Sequence, residues 1–101
     1  MQTVNYKISV EAGIDLEKIW RYTFETWSLE QADRYINQIF EEIAYISINP
    51  ENGKDFSHIR KNYMRTKVKS HFIFYRVFNK ANMVEIIRIL HQQMDIENRL
   101  K

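Results

Sequence analysis

Two runs near the C-terminus, HFIFYRVF at residues 71 to 78 and VEIIRIL at residues 84 to 90, limit what this chain can fold into. Both are rich in β-branched and aromatic residues, and both are nearly continuous in apolar side chains instead of alternating. Strands of that kind sit in the middle of a sheet. The intervening N-K-A-N, residues 79 to 82, suits a hairpin loop. Just upstream, Tyr63 to Ser70 alternates Met64, Thr66 and Val68 with Arg65, Lys67 and Lys69. One face of that strand can pack on helices while the other presents a row of cations. Three such strands in succession make an antiparallel meander.

The first half of the chain supplies what covers it. Val4, Tyr6 and Ile8 alternate with Asn5 and Lys7, the period of a half-buried strand. Ser9 can cap a helix with its hydroxyl, and Glu11 suits the positive end of the helix dipole. That helix is expected from Val10 to Trp27, with Leu16, Ile19, Trp20, Thr23 and Trp27 on its apolar stripe. Ser28 opens S-L-E-Q, a capping box with Gln31, so a second helix follows at once and the two form a tight hairpin. The second helix sets Leu29, Ala32, Ile36, Ile39, Phe40, Ile43 and Ile46 against Glu30, Asp33, Arg34, Glu41 and Glu42, and it ends before Pro50. Residues 49 to 55, N-P-E-N-G-K-D, read as turns and loop. The expected order is β-α-α-β-β-β: an α+β fold, an antiparallel sheet with a helical hairpin packed on one face, in a single domain spanning residues 1–101.

With 101 residues there is room for one core, and 2 Gly and 1 Pro leave no linker composition. No apolar run approaches the roughly 18 to 20 residues of a membrane span, and MQTVNYKISV lacks a signal-peptide core, so a soluble, unexported protein is expected. The absence of cysteine excludes a disulfide scaffold, a thiolate zinc site and a cysteine nucleophile, and it fits a reducing cytoplasm. The histidines at 58, 71 and 91 do not share metal-ligand spacing, so neither a metal nor another cofactor is expected. Charge is distributed unevenly about a net of +2: residues 1–50 hold 4 Lys/Arg against 8 Asp/Glu, and residues 51–101 hold 11 against 5. A basic half of this kind is either a solvated surface or a face for an acidic partner or nucleic acid.

Several motifs fall in an order that resembles a known family. They are D-L-E-x-I-W on the first helix (Asp15, Leu16, Glu17, Ile19, Trp20), Gln31-Ala32 opening the second and Asn49-Pro50 closing it. I-F-Y-R-V (Ile73 to Val77) and R-I-L-H-Q-x-M-D (Arg88 to Asp95) complete the set. Together they cover nearly the whole chain, and they resemble the ParE toxins of the ParE/RelE superfamily. The resemblance implies the toxin of a bacterial type II toxin–antitoxin pair that poisons DNA gyrase and is neutralised by a ParD-like antitoxin, an acidic and partly disordered segment. It implies no small-molecule substrate and no membrane.

The superfamily also contains ribosome-dependent mRNA endoribonucleases of RelE type, and this alternative can be weighed on residues. In those relatives an arginine commonly follows the position of His71, and a tyrosine stands near the position of Gln92. This chain has Phe72 and Gln92 there. A phenyl ring cannot neutralise a phosphate, and an amide cannot exchange a proton at neutral pH. A nuclease built on this sequence would use Arg65, Arg88 and His91; the gyrase reading needs no catalytic residue. Residues expected to meet a partner are Trp20, Trp27, Arg65, Lys67, Lys69 and Arg76. Trp20 and Trp27 are alternatively core, and the cations alternatively solvated. The stretch from Arg88 through His91, Met94 and Asp95 reads as a fastening of the tail to the sheet, with Asp95 accepting from His91 or Arg88 and Met94 filling a gap.

Overall fold

The two apolar runs pair with each other at the centre of a five-stranded sheet in a computed structural model that describes residues 5–78 and 83–100. The elements are β1 (Tyr6–Ile8), α1 (Val10–Thr26), α2 (Leu29–Ile48), β2 (Lys54–Asp55), β3 (Met64–Val68), β4 (His71–Phe78), β5 (Met83–His91) and α3 (Ile96–Leu100). In space the strands run β1-β5-β4-β3-β2, with β1 parallel to β5 and every other pair antiparallel. Val4 and the N-K-A-N loop lie outside the described residues. Among those described, no helix is long and apolar enough to cross a membrane.

The caps read from the sequence form. Ser9 Oγ accepts from the Ala12 amide at 3.0 Å and Ser28 Oγ from the Gln31 amide at 3.1 Å, each satisfying a donor that the first helical turn leaves free. Only the Ser28 half of the expected capping box appears among the described residues. The hairpin α1–α2 buries Ala12, Leu16, Ile19, Ile39, Ile43 and Ile46 against Ile73, Tyr75, Val84, Ile86 and Ile89 of the sheet.

Three expectations about this frame are corrected. Residues 49–55 are more than loop: Pro50–Asn52 form a 3-10 turn, and Lys54 and Asp55 pair with Arg65 and Met64 as an added edge strand. That segment is held by a close approach, since Tyr75 donates its hydroxyl to the Pro50 carbonyl at 2.8 Å and a Cβ on Gly53 would lie 1.9 Å from the same oxygen. Second, the sheet face away from the hairpin is not bare. A smaller core of Tyr63, Phe74, Leu90 and Leu100, with Phe56, Ile59, Phe72, Ile87 and Ile96, covers part of it, brought there by the 56–63 loop and by α3, which the sequence reading lacked. Third, Leu29 is exposed, and Glu42, expected on the solvent face of α2, turns inward to accept from the Thr66 hydroxyl.

The join between α1 and β5 holds the two layers in register. β4 and β5 pair regularly from Phe78↔Met83 to Tyr75↔Ile86, then resume at Phe74↔Arg88, so Ile87 is an extra residue in a β-bulge. β1 pairs with β5 only as far as Ile86, and the start of α1 takes over the vacated edge. Ser9 N donates to the Ile86 carbonyl at 3.0 Å, Ser9 Oγ donates to the Ile87 carbonyl at 2.8 Å, and the Ile89 amide donates to Asp15 Oδ2 at 3.0 Å. Asp15, the buried charged residue among those described, also takes both Nε and Nη2 of Arg88, at 2.8 and 3.0 Å. A buried carboxylate is tolerated because each of its oxygens is met by a donor.

Removing one partner from such a pair leaves the other charged and unpaired, which costs far more than the pair itself contributes. Asp15→Ala is therefore expected to lower unfolding free energy by about 3–5 kcal/mol. Asp15→Asn, which keeps an acceptor for the Ile89 amide, should cost less. Urea titration measures both, and an alanine variant within 1 kcal/mol of wild type would contradict this account of the join.

Candidate functional site

The bulge at Ile87 decides which side chains meet at the open end of the sheet. Without it, the register that pairs Phe78 with Met83 would carry on to set His71 opposite Leu90. The extra residue moves the pairing by one, turns Ile89 and His91 to the helical side, and puts His91 directly across from His71. The two rings meet edge to face, with centroids 5.2 Å apart. Two residues far apart in sequence and unrelated in spacing thus become neighbours.

Tyr35, from α2, closes the group. Its hydroxyl lies 2.6 Å from His71 Nδ1 and donates to the Val68 carbonyl at 3.1 Å. One hydroxyl proton cannot serve both, so the arrangement that satisfies each contact has His71 Nδ1–H donating to the Tyr35 oxygen. His91 Nδ1 accepts from the Gln93 amide at 3.1 Å. Both imidazoles therefore use Nδ1 internally, leaving Nε2 of each without a hydrogen bond among the described residues. Burial, reinforced by the nearby His91 and opposed by Asp15, pushes the pKa of His71 down to about 4. Burial raises that of Tyr35, against the effect of the Ser70 amide. His71 is neutral at physiological pH.

Two hollows flank this histidine pair. One, of about 300 Å³, opens between the hairpin tip and the β3–β4 turn; Trp27, Gln31, Arg34, Gln38, Lys69 and Tyr22 are part of its wall. The other, of about 310 Å³ and mainly apolar, lies between α1 and the end of β5, walled in part by Ile19, Tyr22, Ile89 and Met94. No group of three His, Asp or Glu able to hold a metal converges among the described residues.

The residues singled out from the sequence are distributed over both faces of the sheet. Trp20 is not core: its indole N–H donates to Asp33 Oδ1 at 2.9 Å, clamping α1 to α2, and its ring stacks on Phe24. Trp27 is 69% exposed at the hairpin tip. Arg65 and Lys67 keep to the face away from the helices, over the Phe72 ring at 4.3 and 5.6 Å. Lys69 leaves that row. β3 ends at Val68, and Lys69 occupies the β3–β4 turn at φ 49°, with its ammonium 6.0 Å from the Tyr35 ring on the helical side. Arg76 is already paired, its Nε 2.9 Å from Glu85.

The tail is fastened, but by different contacts from those expected. Arg88 binds Asp15, approaches Glu11 at 3.6 Å and donates to the Arg99 carbonyl at 3.4 Å, so it ties α1, β5 and α3 together. Asp95 does not reach Arg88 or His91; it accepts from the Asn98 side chain at 2.5 Å and starts α3. Met94 rims the apolar hollow instead of filling a core gap. Arg65, Arg88 and His91 do not assemble: the two arginines flank Phe74 in the strand register, on the side away from the hairpin, while His91 opens to the helical side. Tyr35 and His71 were missed in the sequence reading. The hairpin register alone would have pointed elsewhere, because the bulge has no sequence signature.

The depressed pKa of His71 has a directional consequence. Because the folded value lies below the ordinary 6.5, the unfolded chain takes up the proton first as pH falls. Stability contributed by neutral His71 is complete above about pH 6.5 and is lost progressively down to about pH 4. In His71→Phe that part of the pH dependence should vanish. Proton NMR of the imidazole signals checks the premise; a His71 midpoint near 6.5 would refute it.

With the geometry described, similarity to known proteins can be set beside it. The family profile described as "ParE toxin of type II toxin-antitoxin system, parDE" matches residues 6–96. The chain is 38% identical over 95 residues to Toxin ParE1 of Caulobacter vibrioides and 34% identical to Toxin ParE1 of Mycobacterium tuberculosis, in each case covering 94% of this chain and 96% of the relative. Among solved structures, the chromosomal ParDE toxin–antitoxin system of P. aeruginosa superposes with a TM-score of 0.74 at 17% identity, over 87% of this chain and 95% of that one. The RelBE2 toxin–antitoxin complex of Mycobacterium tuberculosis gives 0.69 at 18%, over 90% and 93%. The extent and identity of these matches, together with the fold, place the chain in the ParE toxin family of type II toxin–antitoxin systems.

Proposed function

We propose that the protein inhibits bacterial growth by binding DNA gyrase in the cytoplasm and stabilising the enzyme's cleaved-DNA state, and that a ParD-like antitoxin silences it. The observation that carries this reading is the separation of the groups that RNA cleavage would require. Arg88 is committed to Asp15, Arg65 lies over Phe72 on one face of the sheet, and His91 opens to the other. Cleaving RNA needs cations and a proton-transfer group within reach of one phosphate. Arg65, Arg88 and His91, the nuclease set read from the sequence, do not meet at one phosphate, which favours a toxin that acts by binding; such a toxin must prefer one state of its target, since equal affinity for two states shifts neither.

The antitoxin is assigned to the apolar and cationic surface. The hollow between α1 and the end of β5 takes an apolar anchor side chain from an amphipathic segment. Trp27, Phe24 and Leu29, exposed along the hairpin, extend that contact. Arg65 and Lys67, which form no ion pair among the described residues, favour an acidic partner. A partly disordered antitoxin would offset its ordering entropy by this burial.

Two reactions run side by side test the target: gyrase with supercoiled plasmid and ATP, and programmed ribosomes with labelled mRNA. Linear cleaved plasmid with intact mRNA is expected. Cleaved mRNA with unaffected gyrase would establish the RelE-type endoribonuclease instead, a reading favoured by the likeness to the RelBE2 fold. For the partner, Arg65→Glu with Lys67→Glu should weaken antitoxin binding at least about tenfold by calorimetry, each lost charge contact being on the order of 1 kcal/mol. Unchanged affinity would remove this face from the interface.

A further inference from the structure

The hollow at the hairpin tip shares Trp27 with the surface proposed for the antitoxin, but the rest of its chemistry is called for neither by family membership nor by antitoxin binding. We propose that it binds a single nucleotide with an unpaired base, the base lying against Trp27 and Tyr22 and the phosphate held by Lys69 and Arg34.

The wall of the hollow carries the groups such a ligand needs. Trp27 and Tyr22 are 69% and 68% exposed, two large rings left in solvent at the edge of a concave site. Flat aromatic platforms of this kind hold bases by stacking, whatever the base. Lys69 and Arg34 enter the same wall, and neither is ion-paired among the described residues. Lys69 reaches this side of the sheet only because its backbone adopts φ 49°, a left-handed conformation that a lysine does not favour. The two-residue β3–β4 turn, in which Val68 pairs with His71, calls for such a φ and so sets the Lys69 side chain on the helical side.

The polar groups of the wall suit a base edge better than a carboxylate. Gln38 has a buried Oε1 without a hydrogen-bond partner, an acceptor that an anionic peptide group cannot satisfy and an exocyclic amine or ring N–H can. His71, held neutral by its burial, and His91 each have an Nε2 without a hydrogen bond among the described residues, so the wall presents two ring nitrogens behind a cationic mouth. A volume of about 300 Å³ matches the size of one unpaired nucleotide. The phosphate-bearing unit can come from a free mononucleotide or from a single strand. The assignment does not rest on gyrase as target, because it concerns toxin and nucleotide alone.

Tryptophan fluorescence and calorimetry with the intact protein provide the test, using thymidine monophosphate, a short oligothymidylate and a blunt duplex of equal length. The single strand should quench fluorescence saturably and bind at least about tenfold more tightly than the duplex, with affinity falling as salt rises. Saturable binding of the mononucleotide identifies a free-nucleotide site; binding of the strand alone identifies a strand site. Trp27→Ala and Lys69→Glu, both at exposed positions, should each weaken binding about tenfold or more while leaving the thermal melt near that of wild type. Lys69→Gly, which relieves the backbone strain, should melt higher yet bind more weakly. Equal binding of duplex and single strand, an affinity unmoved by Trp27→Ala, or no saturable binding to any of the three would overturn the proposal.

Discussion

The extra residue in β5 is the constraint on which the rest of the molecule turns. A bulge exposes backbone groups that a regular ladder would pair, and here those groups are claimed by the start of α1. Ser9 bonds the carbonyl of Ile87 while capping its own helix, and Asp15 takes the amide of Ile89 together with the guanidinium of Arg88. The same contacts thus fix the bulge, the docking angle of α1 and the orientation of Arg88. An ion pair at this depth contributes little net stability compared with well-packed apolar groups. Its value lies in geometry, because no apolar side chain could accept an orphaned amide and hold a bulge in place.

From that fixed point the two faces of the sheet acquire separate roles. Beyond the bulge Ile89 and His91 turn toward the helices and Leu90 turns away, so the helical side gains the histidine pair and the opposite side gains the small core that α3 closes. Arg88 links the systems by reaching Asp15 on α1 and the Arg99 carbonyl on α3. Its charge is spent in this way, so this arginine of the C-terminal R-I-L-H-Q-x-M-D motif serves the architecture. The basic character of the second half is likewise not one surface. Arg65 and Lys67 lie over Phe72, Arg76 is neutralised by Glu85, and Lys69 stands alone beside Tyr35.

A chain of 101 residues has little apolar area to spare beyond what its core requires. Here the main core lies between the inner stripes of α1 and α2 and the facing side of β4 and β5, and the aromatic residues Tyr22, Phe24 and Trp27 are left in solvent. Trp20 marks the boundary, with an indole half-buried and hydrogen-bonded to Asp33, while Trp27 one heptad later stands in solvent. The exposure of Trp27, Phe24 and Leu29 costs the isolated protein some favourable burial.

Much of this was legible in the sequence. The β-α-α start, both serine caps, the end of α2 before Pro50 and the central place of β4 and β5 follow from periodicity and capping chemistry, which act over a few residues and leave their mark in composition. The ParE-like motifs likewise announced the family, because their order along the chain survives in the residues themselves. What could not be read was every consequence of long-range register. Nothing local distinguishes Ile87 from its neighbours as the extra residue; the distinction arises only when Ser9 and Asp15 arrive, more than 70 positions away in sequence, to pair its flanking backbone. The meeting of His71 with His91 and the capture of Arg88 by Asp15 depend on that arrival, while the departure of Lys69 from the cationic row is set by the β3–β4 turn. Local patterning determined the elements, and tertiary pairing of buried polar groups decided which side chains face one another.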